Sequence, residues 1–223
     1  MNPIRSLKRA NRLYESVFML ALSLFCFGAS VFRYIYTGTR VFLFLNWNLF
    51  LAFVPWALTS VAVMKTNIQH SKITIGTIML FWLIFFPNAP YIFTDLFHLR
   101  QTPSIPDWFD LILILSFAWT GLLFGILSLW DIEGILSRKI KWVYIKIIST
   151  LLLFAGSFGV YLGRYLRWNS WDIITRPFKV LNDIGARFIN PFEHQTTWGM
   201  TIFMGLFLNI IYWSFYIIRK RNK

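Results

Sequence analysis

The sequence predicts an all-α integral membrane protein with a bundle of six transmembrane helices. Its composition is the first reason: 57% of residues are hydrophobic, 20% are aromatic and only 14% are charged, far from the composition of a soluble domain. The second reason is the repetition of long apolar runs along the whole chain. A third observation, two prolines after the third run, predicts that one helix is broken.

The apolar runs define a single six-span membrane domain over residues 17–218, between a basic N-terminus at 1–16 and a basic tail at 219–223. The predicted spans are 17–36, 43–63, 73–93, 111–130, 143–163 and 199–218. Arg33 stands near the far end of the first span, where we expect its long side chain to reach the membrane surface.

The third run is the most informative stretch. From Ile73 to Phe86 it is apolar for only 14 residues, which gives roughly 21 Å of helix against a hydrocarbon core of about 30 Å. Pro87 and Pro90 then interrupt the pattern. The helix either continues with a break or unwinds at membrane depth. Both alternatives place the segment that follows near the far membrane surface or in a recess beneath it.

A further helix is predicted outside the spans. Residues 175–190 place Phe178, Leu181 and Phe188 on one side of a helix, while Lys179 and Arg187 fall largely on the other. This pattern predicts an amphipathic helix lying flat on the outer membrane face.

The distribution of charge predicts orientation. Of the 22 lysines and arginines, 13 lie in the N-terminus, the second and fourth links and the tail. Both termini are therefore expected to be cytoplasmic. The net charge of +13 does not indicate nucleic-acid binding, because the basic residues lie in short segments between apolar runs.

Asp95 and His98 are the candidate reactive pair. They stand three residues apart, directly after the prolines, and share one face if the segment is helical. Three roles remain open: a general base with its orienting carboxylate, two ligands of a metal ion, or a polar turn that satisfies backbone groups freed by the prolines. A metal site would need a further ligand, such as Asp110 or His194.

Arg164 and Arg167 form a second candidate site. At this spacing one helix face would present two guanidinium groups, which fit phosphate or carboxylate. The alternative is that they pair with acids of the chain or extend to the membrane surface. The other candidate ligand-binding residues fall at the same predicted outer surface: Asn46, Asn48, Asn88, Asp110, Asn169 and Asp172.

Small residues at four-residue spacing predict close helix packing. Gly121/Gly125 and Gly159/Gly163 have this spacing, which suits contact with another membrane protein or with a second copy of the chain. Membrane lipids are the other expected partners. The chain has no phosphate-binding Gly-Lys-Ser/Thr loop, no HExxH and no GxSxG, so no cofactor or reaction is predicted.

Four segments together resemble an uncharacterised bacterial multi-pass membrane family, the domain of unknown function thirteen-sixty-one. They are Asn46-Trp47-Asn48-Leu49-Phe50-Leu51-Ala52; Phe86-Pro87-Asn88-Ala89-Pro90-Tyr91 with Thr94-Asp95 and His98-Leu99; Ser116-Phe117-Ala118-Trp119-Thr120-Gly121; and Tyr161-Leu162-Gly163-Arg164 with Arg167-Trp168-Asn169-Ser170-Trp171-Asp172. The resemblance implies a six-span protein of the bacterial cytoplasmic membrane and implies no activity.

From these observations we expect an outward-facing polar site that binds or processes an anionic lipid headgroup or an envelope-related ligand. A transporter, or the membrane subunit of one, is the first alternative, because broken helices often line transport sites. A non-catalytic membrane scaffold is the second.

Overall fold

The protein is all-α in the computed structural model, which describes residues 12–65, 71–99 and 105–221. The predicted basic N-terminus up to residue 11, most of the second link, the middle of the third link and the last two residues lie outside the described residues. The α-helices are α1 Leu13–Thr37, α2 Phe44–Met64, α3 Lys72–Phe85, α4 Asn88–Tyr91, α5 Asp107–Leu136, α6 Trp142–Tyr165, α7 Asp172–Thr175, α8 Pro177–Ile189 and α9 Gln195–Arg221. Two 3₁₀ segments, Ile92–His98 and Pro191–His194, complete the described elements.

Six helical stretches of the described chain are long and apolar enough to cross a membrane, which confirms the predicted class. They are Leu13–Thr37, Phe44–Met64, Ile73–His98, Asp107–Leu136, Trp142–Tyr165 and Pro191–Arg221. Most extend beyond the predicted spans, because a helix continues past the limits of the hydrocarbon core wherever its backbone bonds are satisfied.

The break in the third span occurs where the prolines predict it. The α-helix ends at Phe85, turns through Phe86 and Pro87, and resumes as α4 before it tightens into the 3₁₀ segment. The amide of Ala89 bonds to the Phe86 carbonyl, so the Phe85 carbonyl instead accepts from the Asn88 side chain at 2.8 Å. Asn88 thus satisfies a backbone group that the break would leave unpaired.

The helices group into two compact units, residues 1–138 and 139–223. In the N-terminal unit, α5 is central: it packs against α1, α2 and the broken third span. In the C-terminal unit, α6 packs along α9. A single membrane domain over 17–218 stays a prediction.

The glycine stripe on α5 is filled by the protein's own third span. A Cβ atom at Gly121 would lie 2.8 Å from the Ile92 side chain and 3.0 Å from the Ala89 carbonyl oxygen, and one at Gly125 would lie 3.0 Å from the Ala89 Cβ. Only glycine allows the broken segment to approach this closely. A partner that binds through Gly121/Gly125 or Gly159/Gly163 stays a prediction.

The predicted amphipathic helix is α8. It exposes Phe178 and Leu181 and buries Val180, together with Arg187. The burial of Arg187 differs from the expected polar face: the guanidinium donates to the Asp183 carbonyl at 2.6 Å, so it satisfies its own helix instead of facing solvent.

Candidate functional site

Asp95 and His98 do share a face, because the segment is a 3₁₀ helix in which residues three apart eclipse one another. They lie along the first turns of α2. The Asn48 amide donates to an Asp95 carboxylate oxygen at 2.8 Å, and the His98 ring meets the Phe44 ring edge-on, 5.4 Å between centroids. Phe44 and Asn48 are one turn apart on α2, as His98 and Asp95 are on the 3₁₀ helix, so each of the two side chains of one helix faces one side chain of the other.

The environment of this pair limits its chemistry. Asp95 is only 1% exposed, so its carboxylate is held inside the protein, whereas His98 is half-buried. No group of three or more His, Cys, Asp or Glu side chains that could hold a metal occurs among the described residues. Catalysis, metal binding and a structural turn therefore stay predictions for Asp95 and His98.

Asp110 is occupied by a partner that the sequence analysis did not assign to it. Arg33 donates from Nε to one carboxylate oxygen at 2.6 Å and from NH2 to the other at 3.0 Å. Arg33 also donates to Thr39 at 2.9 Å and lies over the Phe42 ring at 4.5 Å. The expectation for Arg33 is corrected in one respect: the side chain does not extend into solvent, since it is 1% exposed, but pairs bidentately with this buried carboxylate.

Asn46 holds α1 and α2 together. Its amide donates to the Ser30 hydroxyl at 2.9 Å and to the Leu43 carbonyl at 3.2 Å. Amide side chains often join membrane helices in this way. The structure brings these polar residues together at one end of the N-terminal unit, where most of their polar atoms already form hydrogen bonds within the unit: Asn46, Asn48, Asp95, His98 and Asp110. Their place at the outer membrane surface stays a prediction.

The opposite end of the N-terminal unit carries a polar network that sequence reasoning missed. Arg12 donates to Glu15 at 2.6 Å and to Asp131 at 2.7 Å. Thr59 donates to Asp131 at 2.7 Å, and the Trp56 indole donates to Glu15 at 2.8 Å. Its one signal in the sequence is the placement of both acids at the ends of apolar runs.

The two ion pairs clamp α1 to α5 at both ends. Arg12 pairs with Asp131 and Arg33 pairs with Asp110, so the partners are 21 residues apart on each antiparallel helix. That separation is about 31 Å of helix, close to the thickness of a hydrocarbon core. The two ion pairs are therefore about one hydrocarbon thickness apart. Between them, the Cys26 sulfur lies 3.4 Å from the Thr120 hydroxyl oxygen.

Arg164 and Arg167 belong to the C-terminal unit but do not share a helix face. Helix α6 ends at Tyr165, and the Trp168 amide bonds back to the Leu162 carbonyl at 3.1 Å. This bond closes a turn of seven residues across the helix end, and one residue in the turn adopts the left-handed conformation that commonly ends a helix. That residue is Arg167, with φ +58°. Arg164 therefore lies in the last turn of α6 and Arg167 in the turn that follows, which corrects the expectation that both lie on one helix face.

Two acids near these arginines accept hydrogen bonds from the turn itself. The Asp172 carboxylate accepts from the backbone amide of Asn169 at 2.8 Å and from the Thr175 hydroxyl at 3.3 Å. These hydrogen bonds to the carboxylate hold the pKa of Asp172 below its usual value. Asp183 accepts from the Trp168 indole at 2.8 Å, which fixes the turn against α8. Asn169 and Asp172 thus build the turn, and their ligand-binding role stays a prediction.

A buried lysine in the C-terminal unit was also overlooked. Lys146 interrupts the apolar run of the fifth predicted span and is 8% exposed. Its ammonium group lies 4.1 Å from the ring centroids of both Trp142 and Tyr216. A lysine inside a predicted span was the signal, since such residues are rare and functional by default.

The fold and these sites define an integral membrane protein with six candidate spans and buried polar contacts between them. Residues 47–211 match the family described as "Protein of unknown function (DUF1361)". The chain belongs to this family, as the four sequence segments indicated. No curated protein and no solved structure matches it.

Proposed function

We propose that this membrane protein binds the anionic headgroup of a membrane lipid, or of an envelope-related ligand, at the surface where α6 ends and α8 begins. Arg164 and Arg167 would contact the phosphate, joined by Arg176 and Lys179 at the start of α8. Guanidinium and ammonium groups suit a phosphate in this way.

Arg167 is the observation that carries the proposal. Its side chain is exposed, and its backbone adopts a left-handed conformation that costs an L-residue about 1–2 kcal/mol. Glycine would close the same helix end at lower cost. A cationic side chain at a position that favours glycine points to a use for the charge beyond the turn.

Local electrostatics support the same surface. Residues 164–194 contain five arginines or lysines and three acids. The carboxylate of Asp172 is engaged within its own turn, and that of Asp183 with Trp168 and Arg187. Asp172 also interacts electrostatically with Arg176, but the basic residues outnumber the acids, so the segment keeps a net positive charge that attracts an anion.

Helix α8 would place this surface at the lipid headgroups. Its exposed side chains include Phe178 at 85% and Leu181 at 63%, and the next segment exposes Phe192 at 88%. A helix with such a face lies at the boundary between headgroups and acyl chains. The arginines beside it would then stand at the depth of the lipid phosphates.

Arg167→Gly tests the proposal. The full-length protein in zwitterionic detergent would be titrated with phosphatidylglycerol and, separately, with phosphatidylcholine, and lipid binding measured by native mass spectrometry. Loss of one charge-assisted contact, worth about 1.5–3 kcal/mol, weakens phosphatidylglycerol binding at this site tenfold or more, while the unfolding temperature stays equal or rises.

Arg138→Gln is the matched control, because it removes an exposed arginine from the link before α6. It should leave binding at this site unchanged. Binding by Arg167→Gly as tight as that of the wild type would overturn the proposal.

The broken third span does not favour the transporter alternative. The residues of this span that face α5, Ala89 and Ile92, are fully buried and pack against Gly121. The break is therefore filled by side chains, and we do not extend the proposal to a transport path.

A further inference from the structure

Helices α6 and α9 form an aromatic cage at the end of the C-terminal unit away from Arg164. The ammonium group of Lys146 lies 4.1 Å from the rings of Trp142 and Tyr216, 5.0 Å from that of Tyr212 and 6.0 Å from that of Trp213. It also donates a hydrogen bond to the Tyr212 hydroxyl. Ring faces stabilise a cation electrostatically, and more strongly where water is excluded.

A groove of about 460 Å³ opens beside this ammonium group. Trp142, Trp213 and Tyr216 line it at the cage, and Val143, Ile147 and Leu151 continue it along α6. Those three aliphatic side chains are 68%, 52% and 61% exposed. From 143 to 151 they cover about 12 Å of helix, so the groove combines a cationic, aromatic end with an apolar strip that faces the membrane.

The charge around this end has a single sign. The sequence contains no Asp or Glu from Gly134 to Trp171 or from His194 to Lys223, whereas α9 ends in Arg219, Lys220 and Arg221. An anion that approached the cage would therefore meet no carboxylate from either helix. Basic pockets between membrane helices bind anionic lipid headgroups on this principle.

We propose that this groove is a site for one anionic phospholipid. Its phosphate would approach Lys146 between Trp142 and Tyr216, and one acyl chain would lie along Val143 and Ile147. Lys146 and Arg164 are 18 residues apart on the same helix, about 27 Å, so this site and the one proposed above face opposite membrane surfaces. The two proposals can therefore be tested independently.

Native mass spectrometry of the full-length protein with phosphatidylglycerol tests the site. Wild type should retain two tightly bound lipids, Arg167→Gly one and Lys146→Met one, with at least a tenfold loss of affinity at the altered site. Lys146→Arg keeps the charge and should retain both. Lys139→Met, which removes an exposed lysine just before α6, is the matched control and should also retain both.

A second variant covers the case in which Lys146→Met fails to fold. Ile147→Trp fills the groove from its half-exposed side and leaves the ammonium group in place, so the lipid should be lost while the unfolding temperature is kept. Retention of both lipids by a folded Lys146→Met or Ile147→Trp protein would overturn the proposal. So would an equal loss in Lys139→Met, or binding of phosphatidylcholine as tightly as phosphatidylglycerol, because either result would mean that the cage does not select the headgroup.

Discussion

Replacement of Asp110 by leucine should open the contact between α1 and α5. Arg33 and Asp110 are 1% and 3% exposed and form two hydrogen bonds. Removal of one member of a buried pair costs about 3–5 kcal/mol, because the other charge is left uncompensated. Since Arg33 keeps Thr39 and the Phe42 ring as neighbours, we expect a value near the lower end, about 3 kcal/mol.

The single cysteine provides the assay. Cys26 is fully buried in the middle of α1 and meets Thr120 of α5, so its alkylation requires the two helices to separate. Under conditions where opening is reversible, about 3 kcal/mol corresponds to alkylation that is about 100-fold faster. Asp107→Leu removes an exposed acid from the same helical turn and should leave the rate unchanged.

The double variant Arg33→Met/Asp110→Leu separates charge from packing. With both charges removed, apolar side chains fill the space and the alkylation rate should return to within tenfold of the wild type. The reasoning is refuted if Asp110→Leu alone reacts as slowly as the wild type. It is also refuted if the double variant reacts as fast as the single one, because the cost would then come from packing and not from an unpaired charge.

Two further predictions concern the packing of α5 and the turn after α6. Gly121→Ala should destabilise the protein by about 1–3 kcal/mol through overpacking, since the new methyl would lie 2.8 Å from the buried Ile92 side chain. Gly134→Ala on the same helix is the control: its methyl would meet nothing within 4 Å and should be neutral or stabilising. Unfolding in detergent measures both. The Asp172 pKa is lower in the folded protein than its ordinary value of 3.8, so its carboxylate stabilises the fold above that value and the contribution is lost as pH falls through the folded pKa. Unfolding temperatures measured from pH 6 to pH 3 should therefore fall less steeply for Asp172→Asn than for wild type, and parallel curves would contradict the assignment.

Much of the fold follows from local chemistry. Pro87 and Pro90 both lack an amide hydrogen, so two α-helical bonds are lost within four residues. The apolar run before them is also too short to cross a membrane, so the broken third span was predictable. The shared face of Asp95 and His98 was also predictable, because spacing of three suits both α and 3₁₀ geometry. The amphipathic pattern likewise located α8 to within two residues at each end.

The contacts of the polar residues were much less predictable. Asp110 pairs with a residue 77 positions away, and nothing near Arg33 in sequence distinguishes a buried ion pair from a side chain that reaches the surface. The spacing of Arg164 and Arg167 indicated a shared face only if the helix continued through both. The helix ends first, in the turn that the Trp168 amide closes on the Leu162 carbonyl. Lys146 was visible as a charge within a span, but its four aromatic neighbours include three from α9 that only the fold brings near.

The clamp between α1 and α5 has a consequence for biosynthesis. Arg12 and Asp131 are 119 residues apart, so at about 5–20 residues per second the ribosome needs roughly 6–24 s to make the acid after the arginine. The first helix therefore enters the bilayer long before either of its charges can meet a carboxylate of α5. The N-terminal unit is therefore completed only when α5 associates with a first helix that is already in the membrane. A chain that stops before α5 would lack both of the carboxylates that pair with Arg12 and Arg33 across this contact.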